Sequence, residues 1–208
     1  MKSELNSFKH IILDKIECID VRYPTSTFSE GTDSMHSNCD YSCAYVQLSY
    51  RNTNDKNDSS CTGIGIVFTL GKGTEVVVTA IESLKHIILN QSLQDIIDNF
   101  AQIWRKLTSD PQMRWLGPEK GVYHLATAGI VNSIWDLWAK LEKKPLWKLL
   151  TDIEPLKLIN MLDFRYVEDV LTKDDALQIL TENLKGKDKR EEELISVGFP
   201  AYTTAIGI

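Results

Sequence analysis

Between Pro118 and Leu150 apolar residues recur every three or four positions: Val122, Leu125, Ala126, Gly129, Ile130, Ile134, Leu137, Trp138 and Leu141. That period places them along one side of a helix. Pro118 suits the first turn, where its missing N–H is not needed. Pro145 ends the helix and opens a short one, Leu146 to Leu150. A helix this apolar belongs in a core. Its small residues, Ala126, Gly129 and Ser133, admit the close approach of a neighbouring helix or sheet. The spacing predicts Pro118–Leu141 as the most buried helix, with Trp135 as one of its core aromatics.

The segments before it read differently. Residues 11–23 alternate as a strand, with Ile12, Ile16, Cys18, Ile19, Val21 and Tyr23, and Pro24 stops it. Residues 25–40, TSTFSEGTDSMHSNCD, are small and polar and read as a loop suited to ligand contact. Residues 41–50 and 61–70 read as two further strands, joined by the polar turn 51–60. Gly71 to Thr74 then breaks the pattern, and helical spacing begins. Residues 75–89 form one helix. Ser92 caps the next, with Asp95 in a capping-box position and an apolar face from Leu93 to Leu107. Three strands followed by helices predict an α+β fold, an antiparallel meander with a helical bundle on one face.

Beyond Thr151 the character changes, which suggests two parts, 1–150 and 151–208. Residues 156–167, LKLINMLDFRYV, read as a strand. Thr172 and Asp175 cap a helix to about Leu184. Residues 185–193 are a mixed charge run, read as a solvated helix face. The last residues, AYTTAIGI, read as a strand.

Charge narrows the function classes. The net charge of −6 disfavours nucleic acid and anionic membranes, both of which select basic faces. No apolar run is long enough to span a membrane. The N-terminal residues carry no clear secretory or mitochondrial targeting segment. Cys18, Cys39, Cys43 and Cys61 match no zinc spacing and read as reduced thiols, which places the chain inside a cell, in cytoplasm or mitochondria.

The residues alone offer little catalytic chemistry. His10, His36, His86 and His124 form no i, i+4 metal pair, and His124 reads as a core histidine. Gly63-Ile64-Gly65 lies inside a strand, so it is no nucleotide fingerprint. Lys185-Gly186-Lys187 lies in the charge run and reads as solvated.

A resemblance adds chemistry. NSIWDLWAKLEKKPLWKLL resembles a helix of the enolase superfamily, in its mandelate-racemase and muconate-lactonising branch. The runs VRYPTS, DYSCAYV, FTLGKGTEVV, RKLTSDPQMRWLGPEKGVYHLATA and FPAYTT resemble L-fuconate dehydratase-like members, from about Ile16 to Thr204. The resemblance implies an N-terminal capping domain in 1–150, and a linker with the first segment of an incomplete (β/α) barrel in 151–208. It implies an acid-sugar substrate for the full-length protein, with water lost from L-fuconate to give 2-dehydro-3-deoxy-L-fuconate. It implies Mg²⁺ in the full-length family, with none expected on this chain, and is compatible with a homo-oligomer. The family's lysine bases, acidic metal ligands and His–Asp pair follow the point matched by Thr204, so no catalytic residue carries over. The chain alone is expected to be inactive. What carries over is the cap's substrate loop, at Gly31, Thr32, Asp33 and Tyr41. The alternative is a free cap domain that binds partners without catalysis.

Overall fold

The computed structural model describes residues 7–28, 34–55, 61–117 and 120–200. Contacts divide the chain into two units, Met1–Ile153 and Glu154–Ile208.

The first unit is built on three strands, β1 (Ile11–Val21), β2 (Ser42–Asn52) and β3 (Gly63–Thr69). They pair antiparallel in the order β1-β2-β3, so the expected meander is present. Side chains alternate across a strand, and β2 follows this cleanly: Ser42, Ala44, Val46, Leu48 and Tyr50 are buried, while their neighbours are only half covered. A register shift between Leu13 and Lys15 lets Leu13 and Ile16 both face the core.

Helices follow the three strands. They are α1 (Thr74–Leu84), α2 (Leu93–Asp98), α3 (Phe100–Thr108), α4 (Val122–Leu141) and α5 (Leu146–Asp152). Among the described residues α4 lies mainly on β3 and β2, and α1 packs beside it. The small stripe explains how. A Cβ added at Gly65 would lie 2.0 Å from the Gly129 carbonyl oxygen, and one at Gly63 2.1 Å from that of Ser133. Strand and helix therefore meet backbone to backbone, which only glycine allows. The Gly63-Ile64-Gly65 pattern is a packing device. Asp136 on α4 also accepts the Ile64 N–H (2.7 Å), and Lys140 donates to the Thr62 carbonyl (2.8 Å), which fastens this edge of the sheet.

Several expectations change. The helix expected over 93–107 is split at Asn99, whose side-chain amide donates to the Asp95 carbonyl and competes with the helical ladder. The Ser92 cap is present, with the Asp95 N–H donating to its hydroxyl (3.0 Å). Helix α4 begins at Val122, and Pro118 lies outside the described residues. Its buried side includes Tyr123 and Thr127, and Leu125 is exposed. Trp138 is buried, whereas Trp135 is half-covered, stacks on Trp138 and meets Phe100 at a tilt, each centroid 5.2 Å away. His124 is not a core residue: it is half-exposed, and its Nδ1 accepts the Lys120 N–H at 3.0 Å. The four cysteines are thiols.

The second unit is helical where described. Residues 156–167 are not a strand. Pro155 opens α6 (Pro155–Asn160), and turns follow. Proline at the first helical position, with its fixed φ, favours this start. Helix α7 (Lys173–Glu182) carries the Thr172–Asp175 capping box. Ile159, Phe164 and Ala176 form a small core between α6 and α7, flanked by Leu171, Leu177 and Leu180. Helix α8 (Lys187–Val197) buries no residue, consistent with a solvated charge run. Lys185 is exposed in this run. Residues 201–208, expected as a strand, lie outside the described residues.

Candidate functional site

The candidate site is the loop between β1 and β2, at one end of the sheet. Gly31, Thr32 and Asp33, the positions expected to meet substrate, lie outside the described residues. The fourth, Tyr41, lies at the end of the loop, exposed, with its ring edge-on to Phe68 at 5.5 Å.

What the structure does describe is the root of the loop, where its two ends are joined by side chains. After Pro24 the chain makes a short 3-10 turn, Thr25–Phe28. Thr25 is buried. Its hydroxyl donates to the Cys39 carbonyl (2.8 Å) and accepts the Tyr41 N–H (2.9 Å). Ser26 donates to Asp40 Oδ1 twice, from its backbone N–H at 3.1 Å and its hydroxyl at 2.6 Å. Asp40 is itself tied to the end of the sheet: its N–H donates to the Leu70 carbonyl at 3.2 Å, and its carbonyl accepts the Ser42 hydroxyl at 2.8 Å. Gly71 passes so near that an added Cβ would lie 3.1 Å from Asp40 Cβ, and its φ of +105° also favours glycine.

An ion-pair cluster stands beside this root. Arg22, just past β1, forks onto both carboxylate oxygens of Asp20 (2.6 and 2.8 Å) and reaches Glu75 of α1 at 2.5 Å. The bidentate geometry is the stronger form of such a pair. The Arg22 hydrogen bond holds the Asp20 carboxyl below the ordinary carboxylate range. Asp40 is held low as well, first by the Ser26 hydroxyl, then by the Ser26 N–H, with a smaller contribution from the Arg22 charge.

Among the described residues no three histidine, cysteine, aspartate or glutamate side chains converge as a metal site. The carboxylates of Asp20 and Glu75 beside the root share a guanidinium that would repel a cation. The described residues do not fit Mg²⁺.

The sheet's outer face has its own character. Ile19 and Ile66 flank Tyr45 across the strands, and Val21 and Phe68 flank Cys43. Ile19, Val21, Ile66 and Phe68 are all exposed. No helix among the described residues is long and apolar enough to cross a membrane.

In the sequence Thr25, Ser26 and Asp40 stand out only as part of a small, polar loop composition. Their signal was faint: hydroxyl residues directly after Pro24 and an aspartate directly before the second strand.

Comparisons with known proteins bear on this geometry. No family model matches the chain. The chain is 52% identical over 193 residues to the human protein "Mitochondrial enolase superfamily member 1", covering 93% of this chain and 42% of that protein. It is 50% identical to the Xenopus laevis protein of the same name, over 94% of this chain and 43% of that one. It is 41% identical to "L-galactonate dehydratase" of Hypocrea jecorina, over 90% of this chain and 40% of that protein. The chain thus spans about two fifths of the length of these curated relatives. The crystal structure of the human protein superposes with a TM-score of 0.88 at 50% identity, over 95% of this chain and 44% of that chain. A "putative isomerase" from Sinorhizobium meliloti, 22% identical with a TM-score of 0.50 over 67% of this chain and 35% of that chain, shares the fold.

Proposed function

We propose that this chain, which belongs to the enolase superfamily, is the capping part of an acid-sugar dehydratase and that its loop 25–41 meets the substrate. The observation that carries the reading is the likeness over nine tenths of the chain to superfamily proteins, one of them named for L-galactonate dehydration. L-Fuconate, implied by the sequence resemblance, is 6-deoxy-L-galactonate. The two sugar acids differ only in a hydroxyl at C6. The shared chemistry is an L-galacto-configured aldonate that loses the proton on C2 and the hydroxyl on C3 to give a 2-keto-3-deoxy acid and water. In this reading Gly31, Thr32, Asp33 and Tyr41 bind hydroxyls and backbone-facing groups of the sugar acid. No residue of this chain takes the role of base or metal ligand, because enolate chemistry needs a base and a carboxylate-held ion fixed on one scaffold.

The test is a titration of the purified chain with L-fuconate and L-galactonate, followed by NMR. The reading expects saturable shifts confined to residues 25–41, weakened in Tyr41→Phe and Asp33→Asn, with no keto acid released in the presence or absence of Mg²⁺. Absence of shifts at millimolar sugar acid overturns it. The exposed apolar face formed by Ile19, Val21, Ile66 and Phe68 favours a second reading, a non-catalytic interaction module. On that reading the chain ignores both sugar acids, so the same titration decides.

A further inference from the structure

We propose that Asp40 is a positioning residue that clamps the two ends of loop 25–41 together through Ser26. This deepens the acid-sugar reading and rests on it for the identity of what the loop meets.

A loop of this length pays a closure cost when its ends are brought together. Here that cost is met at the root, by bonds between residues 14 to 16 apart: Ser26 to Asp40 twice, Thr25 to Cys39, and Tyr41 to Thr25. Two of those four join the buried Thr25 hydroxyl to backbone groups, and the other two end on Asp40. Asp40 differs. It is the one charged group among these partners, and its Oδ1 takes both Ser26 donors. Its own backbone is fixed to the Leu70 carbonyl and the Ser42 hydroxyl. Whatever Ser26 is tied to is therefore tied to the sheet. A bond to a charged acceptor is stronger than a neutral one, so the loop's separation at its root depends on that carboxylate.

The clamp also has a sign in pH. Asp40 ionises more readily folded than unfolded, because Ser26 bonds its charged form. A carboxyl lowered on folding stabilises the closed root fully above its unfolded value, about 3.9, and the effect is lost as pH falls through the lower folded value. The Arg22 charge acts on Asp40, and Arg22 is itself paired with Asp20 and Glu75. Asp20 and Glu75 are also held low. Acid therefore removes charge from the whole neighbourhood, and only a variant separates Asp40 from the other two.

The experiment compares amide protection in the full 208-residue chain for wild type, Asp40→Ala, Asp40→Asn and Ser26→Ala between pH 3 and 7. In Asp40→Ala, protection at residues 25–28 and 34–40 should fall roughly tenfold at pH 7, the size of about one net hydrogen bond. Protection in residues 44–48 and 63–69 should hold. Asp40→Asn keeps an acceptor oxygen, so it should recover most of the protection and lose the wild type's fall in acid. Ser26→Ala approaches the same contact from the other side, without touching Asp40's bonds to Leu70 and Ser42, and should show a smaller loss confined to the loop. Wild-type protection in Asp40→Ala overturns the inference. So does an equal loss in the sheet, which would make Asp40 a fold residue only. An unchanged acid response in Asp40→Asn overturns the assigned titration. The sugar-acid titration is independent. A clamp that behaves as stated in a chain whose loop amides ignore L-galactonate and L-fuconate keeps Asp40's role and refutes the acid-sugar reading.

Discussion

Gly65→Ala is the most direct test of how this fold is held together. Gly65 sits on β3 under α4, and its added methyl would lie 2.0 Å from the Gly129 carbonyl oxygen, 3.0 Å from the Gly129 carbonyl carbon and 3.1 Å from the Ser133 nitrogen. All three are backbone atoms of a helix, so no rotamer change relieves the overlap. Either strand or helix must move by about 1 Å, and a gap of that size forfeits a quarter to a half of each dispersion contact it opens. The contacts at risk are those of Ala126, Ile130, Ile134 and Leu137, all buried on α4. Ordinary overpacking costs about 1–3 kcal/mol. With backbone on both sides the cost should sit at the top of that range or above, about 3 kcal/mol, which lowers Tm by about 6–12 °C in a protein of this size. Gly73→Ala is the control. Gly73 has φ +92°, but an added Cβ meets nothing within 4 Å, so only left-handed strain of about 1–2 kcal/mol applies. Asparagine, which tolerates that conformation, should recover part of the loss at 73 and worsen it at 65. Near-UV circular dichroism is the appropriate assay, because all five tryptophans fall within Met1–Ile153. A Gly65→Ala protein melting within about 2 °C of wild type, or a larger loss at Gly73 than at Gly65, would refute the backbone-to-backbone account.

Two further outcomes follow from burial. Trp138→Ala should cost about 3–5 kcal/mol as a fully buried aromatic, and Trp135→Ala about 1–2 kcal/mol, since its ring is half in solvent; chemical denaturation of both variants gives the order, and a reversed order contradicts the assignment. The Cys18 thiol is pushed up to about 11, first by burial, then by the carboxylates of Glu82 and Asp20 and by Cys43. Relative to an ordinary thiol near 8.5 its thiolate fraction at neutral pH is roughly 300-fold lower, partly offset by greater nucleophilicity, so alkylation by iodoacetamide should be roughly 20-fold slower than that of a free cysteine; mass-resolved labelling of the native chain at the free-cysteine rate would show that burial does not protect it.

Much of the first unit was legible because its side chains alternate or repeat where they face a core. The β2 pattern is strict over Ser42 to Tyr50, and the stripe at Ala126, Gly129 and Ser133 announced a close approach before its partner, Gly63-Ile64-Gly65, was placed. The segment at 156–167 failed for a physical reason. A short apolar run fits strand and buried helix alike, and the deciding signal was Pro155 just before it, which marks a first helical turn. Trp135 and Trp138 lie three residues apart, close enough on a helix to share a face, so period alone could not say which one lies deeper; Phe100, arriving from α3, leaves Trp135 at the rim.

The site was legible to a different degree, because a loop has no period to read. Hydrogen bonds between Ser26 and Asp40 join residues 14 apart across a segment with no regular structure of its own, and no local rule places them together. The resemblance pointed to the middle of this loop, Gly31 to Asp33, and to Tyr41. The resemblance implies these as the groups that touch a ligand. Groups that hold such a loop in place must instead sit where the chain leaves and rejoins the sheet. On β1 and β2 those places are fixed by the pairing of Val21 with Cys43, the last pair of the ladder. Thr25 and Ser26 follow one side of that pair, and Asp40 and Tyr41 precede the other. Once the ladder's end is known, the short polar side chains beside it, rather than those at the loop's centre, are the ones able to bond across. That reasoning needs the register of the sheet, which is why the bonds between Ser26 and Asp40 emerge from the structure alone.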